Sequence, residues 1–144
     1  MVRRGRRPAV DPAASVKYQR VAAALMKSAS DLTELAADGG RYGNAIGIVA
    51  IHAAIAYADA LSIRFGAFKS AEGDHLRAVD ALTEALGDRA DATAIRHLRR
   101  VLAQKDQVSY QGAYFTVADA KRLTADAQEF AAWAEDLLRY RPAP

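Results

Sequence analysis

The sequence contains no cysteine and only three histidines among its 144 residues. The absence of cysteine excludes thiol catalysis, disulfide bridges and thiolate metal sites. No two histidines stand four residues apart, the helical spacing of a common metal-binding pair, so we expect neither a metal nor another cofactor. A cysteine-free chain is compatible with a reducing compartment, and we predict a cytoplasmic protein.

Proline is absent from residue 13 to residue 141, and no segment alternates apolar and polar residues as a half-buried strand does. Alanine, the strongest helix former, supplies 34 of the 144 residues. A chain of this length buries enough surface to fold as one domain without disulfide bridges. The sequence therefore predicts an all-α fold, an up-and-down bundle of four to five helices that occupies residues 13–141.

The net charge of +3 is confined to the N-terminus. Residues 1–12 contain four arginines and one aspartate, and the rest of the chain carries 16 basic and 16 acidic residues. Because residues 1–12 also lack apolar periodicity and contain two prolines, we predict a mobile arm. A solvated terminus is the simpler interpretation of this arm, and a phosphate-binding arm is the alternative. The neutral remainder argues against a domain that coats nucleic acid.

Apolar spacing and helix stop signals delimit five helices. They are predicted at residues 13–37, 42–65 and 71–86, from Asp91 onward, and from the capping sequence at Thr116 onward. The first is predicted to bury a stripe with 4-3-4-3 spacing, formed by Val21, Leu25, Ser28, Leu32 and Leu35. The third and fourth are predicted to bury Leu76, Val79, Leu82 and Leu86, and Ile95, Leu98 and Leu102.

The second helix is apolar nearly all round, which is typical of the central helix of a bundle. Its uncharged run, Tyr42 to Ala58, is short and interrupted by polar residues and glycines, so we expect no membrane contact. Gly43 and Gly47 stand four residues apart and predict close helix packing at its start.

Polar residues at positions that the helical period places inside are the candidate functional residues. In the second helix, His52 and Asp59 are seven residues apart and share one side. In the fourth, Lys105 stands where the apolar stripe requires another leucine, and Asp106 and Tyr110 follow it. A buried His, Asp or Lys needs a partner or water, so these residues indicate either a polar site or hydrogen bonds that only fix helix packing. His75 either joins this cluster or caps the third helix.

A local basic face is predicted on the fourth helix. It consists of Arg96, Arg99 and Arg100, around His97. Such a face is suited to phosphate contacts, and a solvated helix surface is the alternative.

The order of several motifs resembles the HEPN superfamily of short helical bundles over about residues 15–140. The motifs are the apolar helix with His52 to Ala60, then Gly73-Asp74-His75, then Lys105 to Tyr110, then Phe115 to Ala120, and finally Phe130 and Trp133. The resemblance implies a metal-independent ribonuclease of a bacterial toxin–antitoxin or defence system, acting as a homodimer with a cognate antitoxin or operon partner.

In that family paired Arg-x(4–6)-His motifs meet across the dimer interface. A fixed cation there stabilises charge on the phosphate while the histidine moves a proton. This chain has Lys105-Asp106…Tyr110 at that position. Lysine lacks the bidentate fork of arginine, and tyrosine is a poor proton shuttle at neutral pH.

Three hypotheses follow. The first is a HEPN-like protein that binds RNA or a nucleotide and has weak or altered ribonuclease activity, with Lys105, Tyr110, His52, Asp59 and Asp106 as catalytic candidates. The second is a non-catalytic dimerisation or interaction module. The third is a DNA-associated regulator that uses the arginine arm and the basic face.

Overall fold

The computed structural model describes residues 9–69, 75–109 and 114–139. These residues form five helices of at least 11 residues and one short helix: α1 (Ser15–Leu35), α2 (Gly43–Gly66), α3 (His75–Leu86), α4 (Ala92–Leu102), α5 (Lys105–Ser109) and α6 (Val117–Arg139). Across the described ranges the one β-type contact is an isolated bridge between Ala9 and Phe68. The predicted all-α bundle is confirmed.

Helix α2 lies at the centre of the bundle and contacts each of the other five helices. Helix α6 runs parallel to it: Phe115, just before α6, meets Gly43 at the start of α2, and Glu135, near the end of α6, bonds Tyr57 in the C-terminal half of α2. Helix α1 runs antiparallel to α6, since Gln19 bonds Glu135 whereas Ser30 accepts from Gln128. Helices α1 and α6 therefore flank one side of α2.

The apolar character of α2 is explained by its burial. Within the described residues, α2 alone has the length and hydropathy of a membrane span, and 72% of its most apolar window is buried inside the bundle. The buried residues lie on nearly all sides of the helix, as predicted for a central element.

Helix α1 begins and ends close to its predicted bounds, but the prediction of its buried face is wrong. Val21 is 56% exposed and Leu35 is 82% exposed. The buried side chains are instead Ser15, Ala22, Met26 and Ala29. Small side chains on this face let the α1 backbone approach α2 closely, so alanines rather than leucines occupy the contact.

Helices α3 and α4 bury the predicted residues except Leu76, which is exposed in the first turn of α3. Asp91 caps α4 as predicted, accepting a 2.9 Å hydrogen bond from the backbone N–H of Ala94. Helix α4 ends at Leu102, and Lys105 begins α5. The predicted continuation of the α4 stripe to Lys105 is therefore wrong, because the helical period is interrupted before that residue.

The segment before α1 is held against the bundle. The N–H of Val10 donates to the carbonyl of Ala67 at 2.9 Å, and Asp11 caps the short 3-10 helix Pro12–Ala14. Residues 9–12, which the sequence analysis assigns to the mobile arm, thus include two residues with defined hydrogen bonds. Residues 1–8 lie outside the described residues.

Candidate functional site at the α4–α5 junction

The start of α2 packs closely against α5 and against the residues just before α6. A Cβ atom added to Gly43 would lie 1.9 Å from the carbonyl oxygen of Phe115, and one added to Gly47 would lie 2.9 Å from a methyl group of Val108. Two side chains therefore have to be absent for the backbones to approach this closely. The close packing predicted from the spacing of the two glycines is confirmed.

Asn44, between these glycines, binds the chain on both sides of residues 110–113. Its amide nitrogen donates to the carbonyl of Val108 at 2.9 Å, and its amide oxygen accepts from the N–H of Phe115 at 3.0 Å. One side chain thus fixes where the chain leaves α5 and where it approaches α6. The sequence signal for this role is a lone polar side chain between two glycines at the start of an apolar helix.

The start of α6 is fixed by the predicted capping sequence. The Oγ1 of Thr116 accepts from the N–H of Asp119 at 3.0 Å, and the Asp119 carboxylate accepts from the N–H of Thr116 at 3.4 Å. The pKa of Asp119 lies below its usual range. The main cause is its hydrogen bond with the Thr116 side chain, and the Thr116 backbone N–H and the Arg122 guanidinium add to it.

Lys105, at the first position of α5, contacts His75, at the first position of α3. The Lys105 Nζ lies against the Nε2 of the imidazole, and both side chains are half-buried. An ammonium donates in such a contact, and the ring nitrogen accepts when it carries no proton. The structure thus brings together a cation and an imidazole that are 30 residues apart in the sequence.

The other predicted catalytic residues have different environments. His52 is exposed on α2, whereas Asp59 is 7% exposed, so the prediction that both line one buried face is wrong. Seven residues of helix separate them by about 10 Å along the axis, too far for direct contact. Asp106 is exposed in the first turn of α5. Tyr110 lies outside the described residues.

The predicted basic face of α4 consists of Arg96, Arg99 and Arg100. Arg99 pairs with Asp80 of α3 at 2.6 Å, and Arg100 pairs with Asp126 of α6 at 3.3 Å. His97 also binds Asp126, at 2.9 Å, and both side chains are largely buried. Arg96 is exposed. Carboxylates from two neighbouring helices thus compensate most of this positive face, which lowers its potential toward phosphate.

A cleft of about 370 Å³ opens beside this junction, between α4, α5 and the first turns of α6. Its lining residues are Arg100, Gln104, Gln107, Phe115, Asp119, Arg122, Leu123 and Asp126. Six of these eight residues are polar or charged, and they include the carboxylates of Asp119 and Asp126 beside two guanidinium groups, whereas Phe115 and Leu123 are buried. Lys105 lies in the sequence between the two glutamines of the cleft.

In the described ranges, no group of three or more His, Asp and Glu residues is arranged to hold a metal ion. No family model, curated protein or solved structure matches the chain. The functional inference therefore depends on the residues of the α4–α5 junction.

Proposed function

We propose that this protein is a HEPN-like RNA- or nucleotide-binding protein of a bacterial toxin–antitoxin or defence system, with weak or altered metal-independent ribonuclease activity in the cytoplasm. The observation that carries the proposal is the contact between Lys105 and His75. It supplies both chemical groups of the family's motif, with the imidazole drawn from α3 instead of from a position four to six residues after the cation.

The pair is suited to cleavage of a phosphodiester. The ammonium of Lys105 stabilises the negative charge that develops on the phosphate when a ribose 2′-hydroxyl attacks it. When the Lys105 ammonium turns from His75 to the phosphate, the Nε2 of the imidazole can accept the hydroxyl proton as the oxygen–phosphorus bond forms. The bond to the leaving 5′-oxygen then breaks, and a proton from water or an acidic side chain neutralises that oxygen. The products are a 2′,3′-cyclic phosphate and a free 5′-hydroxyl.

The surroundings of the pair support binding of a nucleotide. The cleft beside α5 offers Gln104 and Gln107 as hydrogen-bonding groups, and Arg100 and Arg122 as cations beside the carboxylates of Asp119 and Asp126. Glutamine reads the donor and acceptor edges of bases, and arginine binds phosphate. Asn44 positions this region through its bonds to Val108 and Phe115.

Expression toxicity and RNA cleavage test the proposal. We expect the wild-type chain to slow bacterial growth when it is produced without its neighbouring gene, and the purified protein to cleave total RNA in the presence of EDTA. Lys105→Ala and His75→Ala should each reduce cleavage about 100-fold, the loss typical of one acid–base or electrostatic group. Tyr110→Phe tests whether the phenol contributes. Lys27→Ala is the matched control, because Lys27 is exposed on α1 and pairs with Asp31 one turn away.

Cleavage that survives both Lys105→Ala and His75→Ala would overturn the assignment. A chain with no activity on RNA, in which Lys105→Ala alters only the free energy of unfolding or the oligomeric state, would favour the second candidate, a non-catalytic interaction module. The exposed apolar residues of α1, Val21 and Leu35, favour that candidate independently.

A further inference from the structure

Two aromatic side chains of the described residues are exposed, and both lie at the end of the bundle where α2 begins. Tyr42, the residue before α2, is 63% exposed, and Tyr114, three residues before α6, is 59% exposed. Every other aromatic side chain in the described ranges is buried or half-buried. An aromatic ring that stays in water withholds its large apolar surface from the core. Core packing therefore does not explain why these two rings are here.

The close packing at Gly43 brings the two tyrosines together. A Cβ atom added to Gly43 would lie 1.9 Å from the carbonyl oxygen of Phe115. The two backbones are therefore in contact immediately after Tyr42 and Tyr114. The Tyr114 hydroxyl also donates to the carbonyl of Gly40 at 3.0 Å, which places the end of its ring beside the chain just before Tyr42. We call Tyr42 and Tyr114 the tyrosine pair.

The charges around the tyrosine pair include one unpaired arginine. Arg41 adjoins the pair, is exposed and forms no ion pair with any described residue. The carboxylate of Asp38 is paired with Lys121 at 3.4 Å. The carboxylate of Asp119 is paired with Arg122. An arginine that can contact phosphate thus stands next to rings that can contact bases.

The tyrosine pair borders the cleft beside α5 and provides a group that the cleft lacks. Tyr114 directly precedes Phe115, which lines the cleft but is buried. The residues that line the cleft therefore offer amide, guanidinium and carboxylate groups but no exposed aromatic ring. Nucleic-acid bases stack on exposed aromatic side chains, and this stacking is a main source of affinity for single strands.

We propose that the tyrosine pair is a base-stacking site for single-stranded RNA, and that Arg41 contacts a phosphate of the same strand. The proposal rests on the proposed function in that the bound molecule is RNA, and it narrows the substrate class to RNA with unpaired bases. In a duplex the faces of each base are covered by its neighbours in the stack, so only unpaired bases can stack on the tyrosines.

Binding of a labelled 2′-O-methyl RNA of about ten nucleotides, followed by fluorescence anisotropy, tests the site. The methyl group blocks the attacking hydroxyl, so binding is measured without cleavage. We expect Tyr42→Ala and Tyr114→Ala each to weaken binding about tenfold, which lies within the range for one stacked base. Tyr42→Phe and Tyr114→Phe keep the ring and should bind like the wild type. Tyr114→Phe also removes the bond to Gly40, so it separates stacking from that bond.

Salt dependence separates stacking from charge. Tyr42→Ala should leave the slope of log affinity against log salt unchanged, whereas Arg41→Ala should reduce it by about 0.7, the contribution of one phosphate contact on a single strand. Leu35→Ala is the matched control, because Leu35 is 82% exposed at the same end of the bundle and has no ring. It should bind like the wild type. Circular dichroism checks that each variant remains helical.

The outcomes distinguish this proposal from the proposed function. Binding that survives both Tyr42→Ala and Tyr114→Ala would overturn the stacking site and leave the ribonuclease assignment standing. Tyrosine-dependent binding by a chain that cleaves no RNA would support the stacking site and overturn that assignment. Equal losses on a duplex of the same sequence would overturn the stacking site. A loss on Leu35→Ala as large as that on Tyr42→Ala would also overturn it and would indicate an apolar surface for a protein.

Discussion

Individual side chains hold the helices of this bundle together at a few polar points. Asn44 binds both ends of the segment that contains Tyr110, and Glu135 joins three helices: it accepts from Tyr57 of α2 and from Gln19 of α1, each at 2.6 Å. Neither role follows from helical periodicity, because a period identifies which side of a helix is buried and not which neighbour a polar atom reaches. The contact of His75 with Lys105 is unpredictable for the same reason.

Tyr57 gives the bundle a pH dependence above neutrality. Burial, followed by the hydrogen bond and the negative charge of Glu135, raises the pKa of Tyr57 well above its usual value near 10. The folded state therefore holds the phenol proton more tightly than the unfolded chain does. This contribution to stability is fully present below about pH 10 and is lost as the pH rises above that value.

We expect Tyr57→Phe to flatten the decline of the free energy of unfolding between about pH 9 and pH 11, because the variant has no phenol at this position to ionise. At neutral pH it should cost about 1.5–3 kcal/mol, the range for a hydrogen bond to a charged group. Urea unfolding at neutral pH measures the cost of the lost hydrogen bond, and urea unfolding at about pH 9 and pH 11 measures the slope. Tyr42→Phe is the control, since Tyr42 is exposed. Equal slopes for Tyr57→Phe and the wild type would contradict the assignment.

The helices themselves are largely predictable from the sequence, whereas the faces they bury are only partly so. Glycines, caps and the lack of internal proline place helix ends to within a few residues, because these signals act locally. The face of α1 is mispredicted because its buried contact uses Ala22 and Ala29, which a search for large apolar residues overlooks. The position of Lys105 is mispredicted because α4 ends at Leu102, and nothing in the local sequence forces that end.

Substitution of Gly43 and Gly47 tests the close packing of α2 against α5 and the start of α6. We expect Gly43→Ala to destabilise the bundle by about 3 kcal/mol, because the new methyl group meets the rigid backbone at Phe115 and Thr116. Gly47→Ala should cost much less. Its methyl group meets one methyl group of the Val108 side chain instead of backbone, and replacing a glycine inside a helix returns about 1 kcal/mol of helix propensity. Urea unfolding compares the two variants, and equal costs would contradict the close approach at Gly43.

For the molecule as a whole, the distribution of charge distinguishes nucleic-acid binding through the N-terminal arginines from binding at Lys105. From residue 13 onward the chain carries equal numbers of basic and acidic residues, and the four N-terminal arginines lie within residues 1–8. Phosphate contacts supply affinity that falls with salt and carries little sequence information. Binding through the arm should therefore be steeply salt-dependent, whereas binding at Lys105 involves one cation and should be only weakly so.

We expect deletion of residues 1–8 to reduce the slope of log affinity against log salt by up to about 3 for single-stranded RNA, since each phosphate contact contributes about 0.7. Lys105→Ala should change this slope by less than 1 while reducing cleavage about 100-fold. Fluorescence anisotropy between about 50 and 200 mM salt measures both slopes. Residues 9–12 are retained because Val10 bonds Ala67 and Asp11 caps the short helix Pro12–Ala14. Duplex DNA binding that stays steep after the deletion would assign the phosphate contacts to the bundle instead of the arm, with the exposed Arg96 of α4 as the first residue to substitute. That outcome would favour the DNA-associated regulator over the RNA-binding protein.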